Sequence, residues 1–232
     1  MFSARFAKFI EMWQQEFGIE RSIDERVCED RDGNPIPWYT YPAIEYLAQF
    51  DYRNKKVFEY GCGNSSLFWA ARAETVTGIE DNPEWFAKWE KEFDRVNLDV
   101  RWRDEGEAYE QAIFEDGCRY DVIVVDGKRR AECAAAAVKA LAAGGMVILD
   151  DSDRINTSKE YVKAVAALKE ADLIQVDFYG FCPMNCYSKN TSLFLSRDFN
   201  FQTLAAIEPV NGWGNLWSMS RRARKDFYKK LG

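Results

Sequence analysis

Four groups of side chains in this 232-residue chain have types and spacings that could do chemistry. The first is the turn Gly61-Cys62-Gly63-Asn64-Ser65-Ser66, which follows the β-rich run KVFEY (56–60) and leads into a helical stretch. Glycine lets a backbone turn tightly and approach a ligand, while Asn64 or Ser65 can cap the helix whose N-terminus faces it. The second is Glu80-Asp81, about 20 residues further on at the end of another β-rich run, where a carboxylate can take both hydroxyls of a ribose. The third is Asp126 with Asp150 and Asp151, which close two more such runs. Neighbouring parallel strands would bring these carboxylates to one sheet edge, and hard oxygen ligands suit Mg2+ or Mn2+. The alternative is that Asp126 only borders a ligand and that Asp150-Asp151-Ser152 is a cap and turn. The fourth is Lys128-Arg129-Arg130. Lys128 is a base if burial depresses its pKa, or a charge that orients an anionic acceptor. Arg129 and Arg130 are acceptor clamps or surface charge at a helix start.

What is missing narrows the chemistry. With no histidine, Ser-His-Asp and Cys-His catalysis and His-ligated zinc are excluded. Six scattered cysteines do not form a disulfide framework and read as reduced thiols. Cys182 and Cys186 would need two further ligands to hold zinc. With 31 basic against 38 acidic side chains there is no field to attract a phosphate backbone, and the run after Val125 lacks the Asn/Asp-Pro-Pro-aromatic pattern of amino-directed DNA enzymes, so no nucleic-acid partner is expected. A nicotinamide dinucleotide site would want glycine where Ser66 stands. A short-chain reductase would want Tyr-x-x-x-Lys beyond the loop, whereas Tyr52 and Lys56 precede it. No stretch approaches the roughly 18 uncharged apolar residues of a membrane span, and Arg5 and Lys8 interrupt the start, so a cytoplasmic protein acting on a small molecule is expected. Nothing speaks to oligomeric state.

These groups need strands to position them. β-rich runs at 56–60, 75–80, 98–102, 120–126 and 146–150 alternate with helical ones at 65–72, 83–94, 107–114, 130–142 and 158–171, which predicts crossovers and a parallel sheet covered on both faces. Runs at 173–181 and 191–197 leave no room for a crossover helix and should pair antiparallel. Phe6, Phe9, Ile10, Trp13 and Phe17 predict an amphipathic helix over about 3–16, followed by a loop and a short helix over 42–49. Three regions result: a helical cap (1–50), a core (51–198) and an aromatic and basic tail (199–232). The tail's Trp213, Trp217 and cluster from Arg221 to Lys230 form either a patch for an anionic ligand or membrane surface, or a solvated helix.

With VFEYGCGNSS (57–66), VTGIEDN (76–82), YDVIVVDG (120–127), AGGMVILDD (143–151) and the closing pair, the sequence resembles the class I S-adenosylmethionine-dependent methyltransferases over about 40–197. The resemblance implies an α/β fold: a Rossmann-like seven-stranded sheet of order 3-2-1-4-5-7-6 with the last strand antiparallel, helices on both faces and an N-terminal helical cap. It implies S-adenosylmethionine as cofactor, with Glu59, Gly61 and Gly63 framing its methionine end and Asn64, Ser65 and Ser66 in the same loop. Glu80 with Asp81 would hold the ribose, Asp104 or Glu105 would meet the adenine amine, and Asp126 would border the cofactor. Ser65 departs from the family's usual third glycine. The acidic residues resemble the metal-dependent oxygen methyltransferases, implying a Mg2+ or Mn2+ site at Asp126, Asp150 and Asp151, although the glycoside-type members have an acid where Lys128 stands. Pro37-Trp38-Tyr39-Thr40-Tyr41-Pro42 reads as a lid over the methionine end, with Thr40 touching the cofactor, or as ordinary packing. The expected activity is methyl transfer to a small-molecule oxygen, a saccharide or other anionic acceptor, using Asp126, Lys128 and Arg130. The alternatives are a non-catalytic S-adenosylmethionine or nucleoside-binding protein and an NAD-dependent oxidoreductase.

Overall fold

The computed structural model describes residues 3–206 and 209–230. Seven strands, β1 (Lys56–Tyr60), β2 (Thr75–Glu80), β3 (Leu98–Trp102), β4 (Tyr120–Val125), β5 (Leu141–Asp150), β6 (Ile174–Phe181) and β7 (Ser188–Leu195), form one sheet of order β3-β2-β1-β4-β5-β7-β6. The five strands β3 to β5 pair in parallel, and β7 runs antiparallel to both β5 and β6. Because side chains alternate across a strand, each strand feeds two cores. Val57, Val76, Val122, Ile148 and Leu193 enter one, and Phe58, Ile79, Ile123, Leu149 and Phe194 enter the other. Covering both faces explains why β1 and β4 are buried along nearly their whole length.

The first core is closed by α3 (Tyr41–Leu47), α4 (Asn64–Ala70) and α5 (Pro83–Trp89), through residues such as Ile44, Leu47, Phe68, Trp69 and Trp89. The second is closed by α6 (Glu107–Gln111), α7 (Arg130–Ala140) and α8 (Lys159–Glu170), where the alanines of α7 let it lie close to its neighbours. The cap adds α1 (Ala4–Phe17) and α2 (Ile19–Glu25), and the tail ends in α9 (Arg221–Lys230). Trp213 of the tail packs edge-on against Phe17 and Tyr41, and its backbone N–H donates to Glu45.

Several element boundaries differ from the sequence-based expectation. The loop expected after 16 contains α2, because left-handed Gly18 ends α1 and at once starts a new helix. Helix α7 stops at Ala140 and Leu141 already pairs with Tyr120, five residues before strand β5 was expected, so cross-strand pairing overrides the helix preference of Ala142 and Ala143. Helix α5 ends at Trp89 instead of running to 94. Strand β7 begins at Ser188, three residues before 191, a shift that brings Lys189 into the sheet. No helix among the described residues is long and apolar enough to cross a membrane.

Candidate active site

The parallel strands β1, β2, β4 and β5 end along one edge of the sheet, and antiparallel β7 begins there, with Thr191 opposite Asp150. A cavity of about 370 Å³ opens at this edge. The turn after β1 forms its floor, with Gly61, Gly63, Asn64 and Ser65 on the lining. Gly61 has φ +88°, and a Cβ there would stand 2.9 Å from the backbone nitrogen of Gly127, so the turn after β1 and the turn after β4 are packed backbone to backbone. A Cβ on Gly127 would in turn lie 1.9 Å from the Tyr109 hydroxyl.

Two buried carboxyls brace this turn. Glu59 is fully buried; its Oε2 accepts from Ser66 Oγ at 2.5 Å, and Ser66 Oγ accepts from Gly63 N–H at 3.2 Å. Glu59 Oε1 has no hydrogen-bond partner among the described residues, and burial pushes this carboxyl up to about 8. Glu80 Oε2 accepts from Cys62 N–H at 3.0 Å, while its Oε1 accepts from Asp81 N–H at 3.1 Å and Asn82 N–H at 2.9 Å. Burial raises the Glu80 carboxyl despite these donors. Trp85, positioned by the Asn82-capped start of α5, donates from Nε1 to Cys62 O at 2.6 Å and forms a wall with Trp89.

The expected cofactor residues separate into distinct layers. Gly61, Gly63, Asn64, Ser65 and Asp126 line the cavity, although Asn64 Nδ2 is committed to Cys28 O at 2.5 Å. Glu59, Ser66 and Glu80 support the turn from behind. Thr40 is turned away from the cavity: its N–H donates to Thr191 Oγ1 at 3.0 Å and its hydroxyl to Phe178 O at 3.0 Å, so it anchors the cap to β6 and β7. Of the expected lid aromatics, Trp38 lines the cavity, whereas Tyr39 and Tyr41 are buried in the core between cap and sheet. Asp104 is exposed and away from the cavity lining.

Lys128 occupies a different place from the one a base would need. It is exposed, reaching Asp81 at 3.1 Å and Glu105 at 3.4 Å, and its pKa is raised by hydrogen bonding to Asp81. It bridges the ends of β2 and β3 and is not buried, so nothing depresses its pKa. Arg129 pairs with Glu110, also outside the cavity lining.

The acidic residues after β4 and β5 do meet: ligand atoms of Asp126, Asp150 and Asp151 lie within 4.8 Å of one another. They meet around cations of the chain itself. Lys189, from the start of β7, bonds to Asp150 and lies 3.0 Å from Asp151 Oδ1. Arg130 lies 3.0 Å from Asp126 Oδ1, and Arg154 lies 3.0 Å from Asp151 Oδ2. Thr191 Oγ1 donates to Asp150 Oδ1 at 2.6 Å. The ammonium of Lys189 already engages oxygens of Asp150 and Asp151 that a divalent ion would need. Burial works against the Lys189 charge, but Asp150, Asp126 and Asp151 outweigh it and hold its pKa up. Asp126 Oδ2 is the carboxylate oxygen in the cluster for which no hydrogen-bond partner is found among the described residues. Burial, with Asp150 adding to it against Arg130 and Lys189, pushes the Asp126 carboxyl up to about 7.

Sequence reasoning missed Lys189, Trp85, Arg26 and Arg154. Trp85 stands three residues beyond the cap Asn82, a signal that was available. Lys189 had none, since only the register of β7, with Thr191 opposite Asp150, brings it beside that carboxylate. Arg26, Asp151 and Met184 line the cavity in left-handed backbone conformations, a cost of roughly 1 kcal/mol or more for a non-glycine residue that the surrounding structure must offset.

No family model matches this chain, and no curated protein matches it. Solved structures do. A Klebsiella pneumoniae protein proposed to be an O-methyltransferase aligns with a TM-score of 0.52 at 16% identity, covering 80% of this chain and 99% of that one. The O-methyltransferase TomG of Streptomyces achromogenes, involved in tomaymycin synthesis and solved with S-adenosylmethionine, gives 0.50 at 16% identity, covering 66% of this chain and 76% of TomG. Spermidine synthase of Thermotoga maritima gives 0.50 at 17% identity, covering 67% of this chain but 59% of the synthase, so this chain spans less than two thirds of that enzyme. At such identities the likeness is one of fold, and the reaction has to be argued from the site. The strand order, the reversed β7 and these alignments together give the chain the α/β fold of the class I S-adenosylmethionine-dependent methyltransferases.

Proposed function

We propose that this protein transfers a methyl group from S-adenosylmethionine to an oxygen of a small anionic acceptor, a sugar acid or phosphorylated saccharide being the class that fits the cavity's charge. The single observation behind this reading is Asp126 Oδ2, an unengaged carboxylate oxygen with a pKa near 7 on the cavity lining beside the glycine turn. A general base poised near neutrality is what a weak oxygen nucleophile requires.

The residues present suit the cofactor. The glycine turn at Gly61 and Gly63 gives the cavity a floor with little side-chain bulk, Trp85 and Trp89 supply an apolar wall, and Asp81 and Glu105, now paired with Lys128, are the carboxylates we assign to a ribose and an adenine amine. When bound, S-adenosylmethionine supplies an electrophilic methyl group on a sulfonium. The chain's own work is to hold the acceptor in line and to take its hydroxyl proton at Asp126 Oδ2. Arg130 holds the other oxygen of that carboxylate, fixing its orientation. At the rim, Arg26 has no acidic partner among the described residues and Arg154 is exposed beyond its contact with Asp151, so both can meet an anionic group of the acceptor.

The test is incubation of the purified chain with labelled S-adenosylmethionine and a panel of sugar acids, sugar phosphates and phenols. Labelled product with release of S-adenosylhomocysteine is the expected result for an acidic sugar. Cofactor binding by calorimetry without turnover on any acceptor favours a nucleoside-binding protein, and binding of NAD in its place refutes the methyltransferase reading.

A further inference from the structure

Three carboxylates within 4.8 Å of one another repel unless something positive lies among them. Here the positive charge is built into the chain. The Lys189 side chain is 7% exposed, bonds to the Asp150 carboxylate and approaches Asp151 Oδ1 at 3.0 Å. Arg130 and Arg154 take Asp126 and Asp151. The three aspartates therefore face three cationic side chains of the chain itself. A divalent ion brought to the same oxygens would place a dication against a buried ammonium that has no other partner, an uncompensated arrangement in low dielectric. The Trp38 ring, 5.8 Å from Lys189 Nζ, lies on the side where that ammonium borders the cavity.

Lys189 reaches this place because β7 is antiparallel. Its N-terminal end, unlike that of any parallel strand, lies at the edge where β4 and β5 deliver their terminal aspartates. A lysine two residues before Thr191 shares its face, and Thr191 is registered on Asp150.

We infer that Lys189 is a resident cation standing where this carboxylate triad would otherwise hold a divalent metal. The cluster is complete without metal. In the proposed methyl transfer, on which this assignment rests, the Lys189 ammonium is the positive charge that an acceptor oxygen meets beside Asp126.

The experiment is titration of the wild-type chain with Mn2+, followed by the electron paramagnetic resonance signal of free Mn2+, with thermal unfolding measured in Mn2+ and in chelator. The wild type should bind no stoichiometric Mn2+, and its unfolding temperature should be the same in both. Lys189→Ala and Lys189→Met should each bind one Mn2+ per chain, at least about tenfold tighter than the wild type, and be stabilised by it. Adding Asp150→Asn should abolish that gain. Stoichiometric binding to the wild type that Asp150→Asn removes would overturn the inference, and so would a folded Lys189→Ala that binds no Mn2+. If neither lysine variant folds, the wild-type titration decides alone. S-adenosylmethionine titrated into the same wild-type sample separates the two readings: no cofactor binding sinks the methyltransferase proposal and leaves the metal result intact.

Discussion

Asp126 and Glu59 are both carboxyls pushed upward by burial, but they answer to different measurements. Asp126 must be deprotonated to accept a proton, so turnover should fall as pH drops through an apparent pKa near 7. Asp126→Asn should lower kcat by ~10²–10⁴-fold, the usual contribution of a positioned base, while cofactor affinity stays within about threefold. A pH profile flat between 5.5 and 8.5, or an active Asn variant, would remove Asp126 from that role. Glu59 lies behind the glycine turn and should act on stability. Its folded pKa of about 8 exceeds the unfolded value of roughly 4.3, so the folded state binds more protons between those limits and stability declines as pH rises across that window. Asp126 contributes with the same sign up to about 7. Glu59→Gln, which cannot ionise, should flatten the decline in unfolding temperature between pH 5 and pH 8. An unchanged slope would mean that the decline arises elsewhere.

At the scale of elements, the site depends on two turns pressed together and on the cap above them. The turn after β4 has no room for a side chain at Gly127, where a Cβ would strike the Tyr109 hydroxyl. Gly127→Ala should cost ~1–3 kcal/mol, as overpacking does, and weaken cofactor binding by displacing the turn. That hydroxyl has no hydrogen-bond partner among the described residues, so Tyr109→Phe should be tolerated and should restore part of the loss in the double variant, read by denaturant unfolding. A purely additive pair would show that the clash is relieved some other way. In the cap, Trp38 is 41% exposed and faces the cavity, whereas Tyr39 and Tyr41 are core residues. Trp38→Ala should change stability by no more than about 0.5 kcal/mol while raising the acceptor KM, and Tyr39→Ala should destabilise by ~3–5 kcal/mol. Comparable stability losses in the two would refute the division of labour between lid and packing.

For the whole molecule, the glycine turn, the wall of α5, the ends of β4 and β5, the start of β7 and the cap all border one cavity. A ligand that binds there only in the folded state must stabilise the chain. At 100 times its Kd, S-adenosylhomocysteine should add about 2.7 kcal/mol, which for a chain of this size raises the unfolding temperature by roughly 5–11 °C. NAD at the same concentration should give no shift. The reverse pattern in a thermal-shift assay would transfer the site to a dinucleotide.

The order of strands and helices was legible because short β-rich runs such as 56–60 and 120–125 and helical stretches such as 158–171 are local properties of the chain. So was the glycine turn, since Gly61 needs its positive φ whatever surrounds it. The convergence of Asp126, Asp150 and Asp151 followed from parallel neighbours ending at a common edge. What filled the space among them did not follow. Lys189 lies in a run without a distinguishing pattern, and whether it enters the cluster depends on the start and register of β7, which are set by packing against β5 and β6. Lys128 shows the converse: adjacent in sequence to the candidate site, it is carried across to Asp81 and Glu105 by the direction in which the turn after β4 leaves the sheet. Thr40 likewise sits in a segment that borders the cavity, yet its hydrogen bonds to β6 and β7 turn it inward. Residue type and spacing determined which carboxylates could share a site. Only the tertiary structure decided that a lysine, brought by a reversed strand, would be the cation among them.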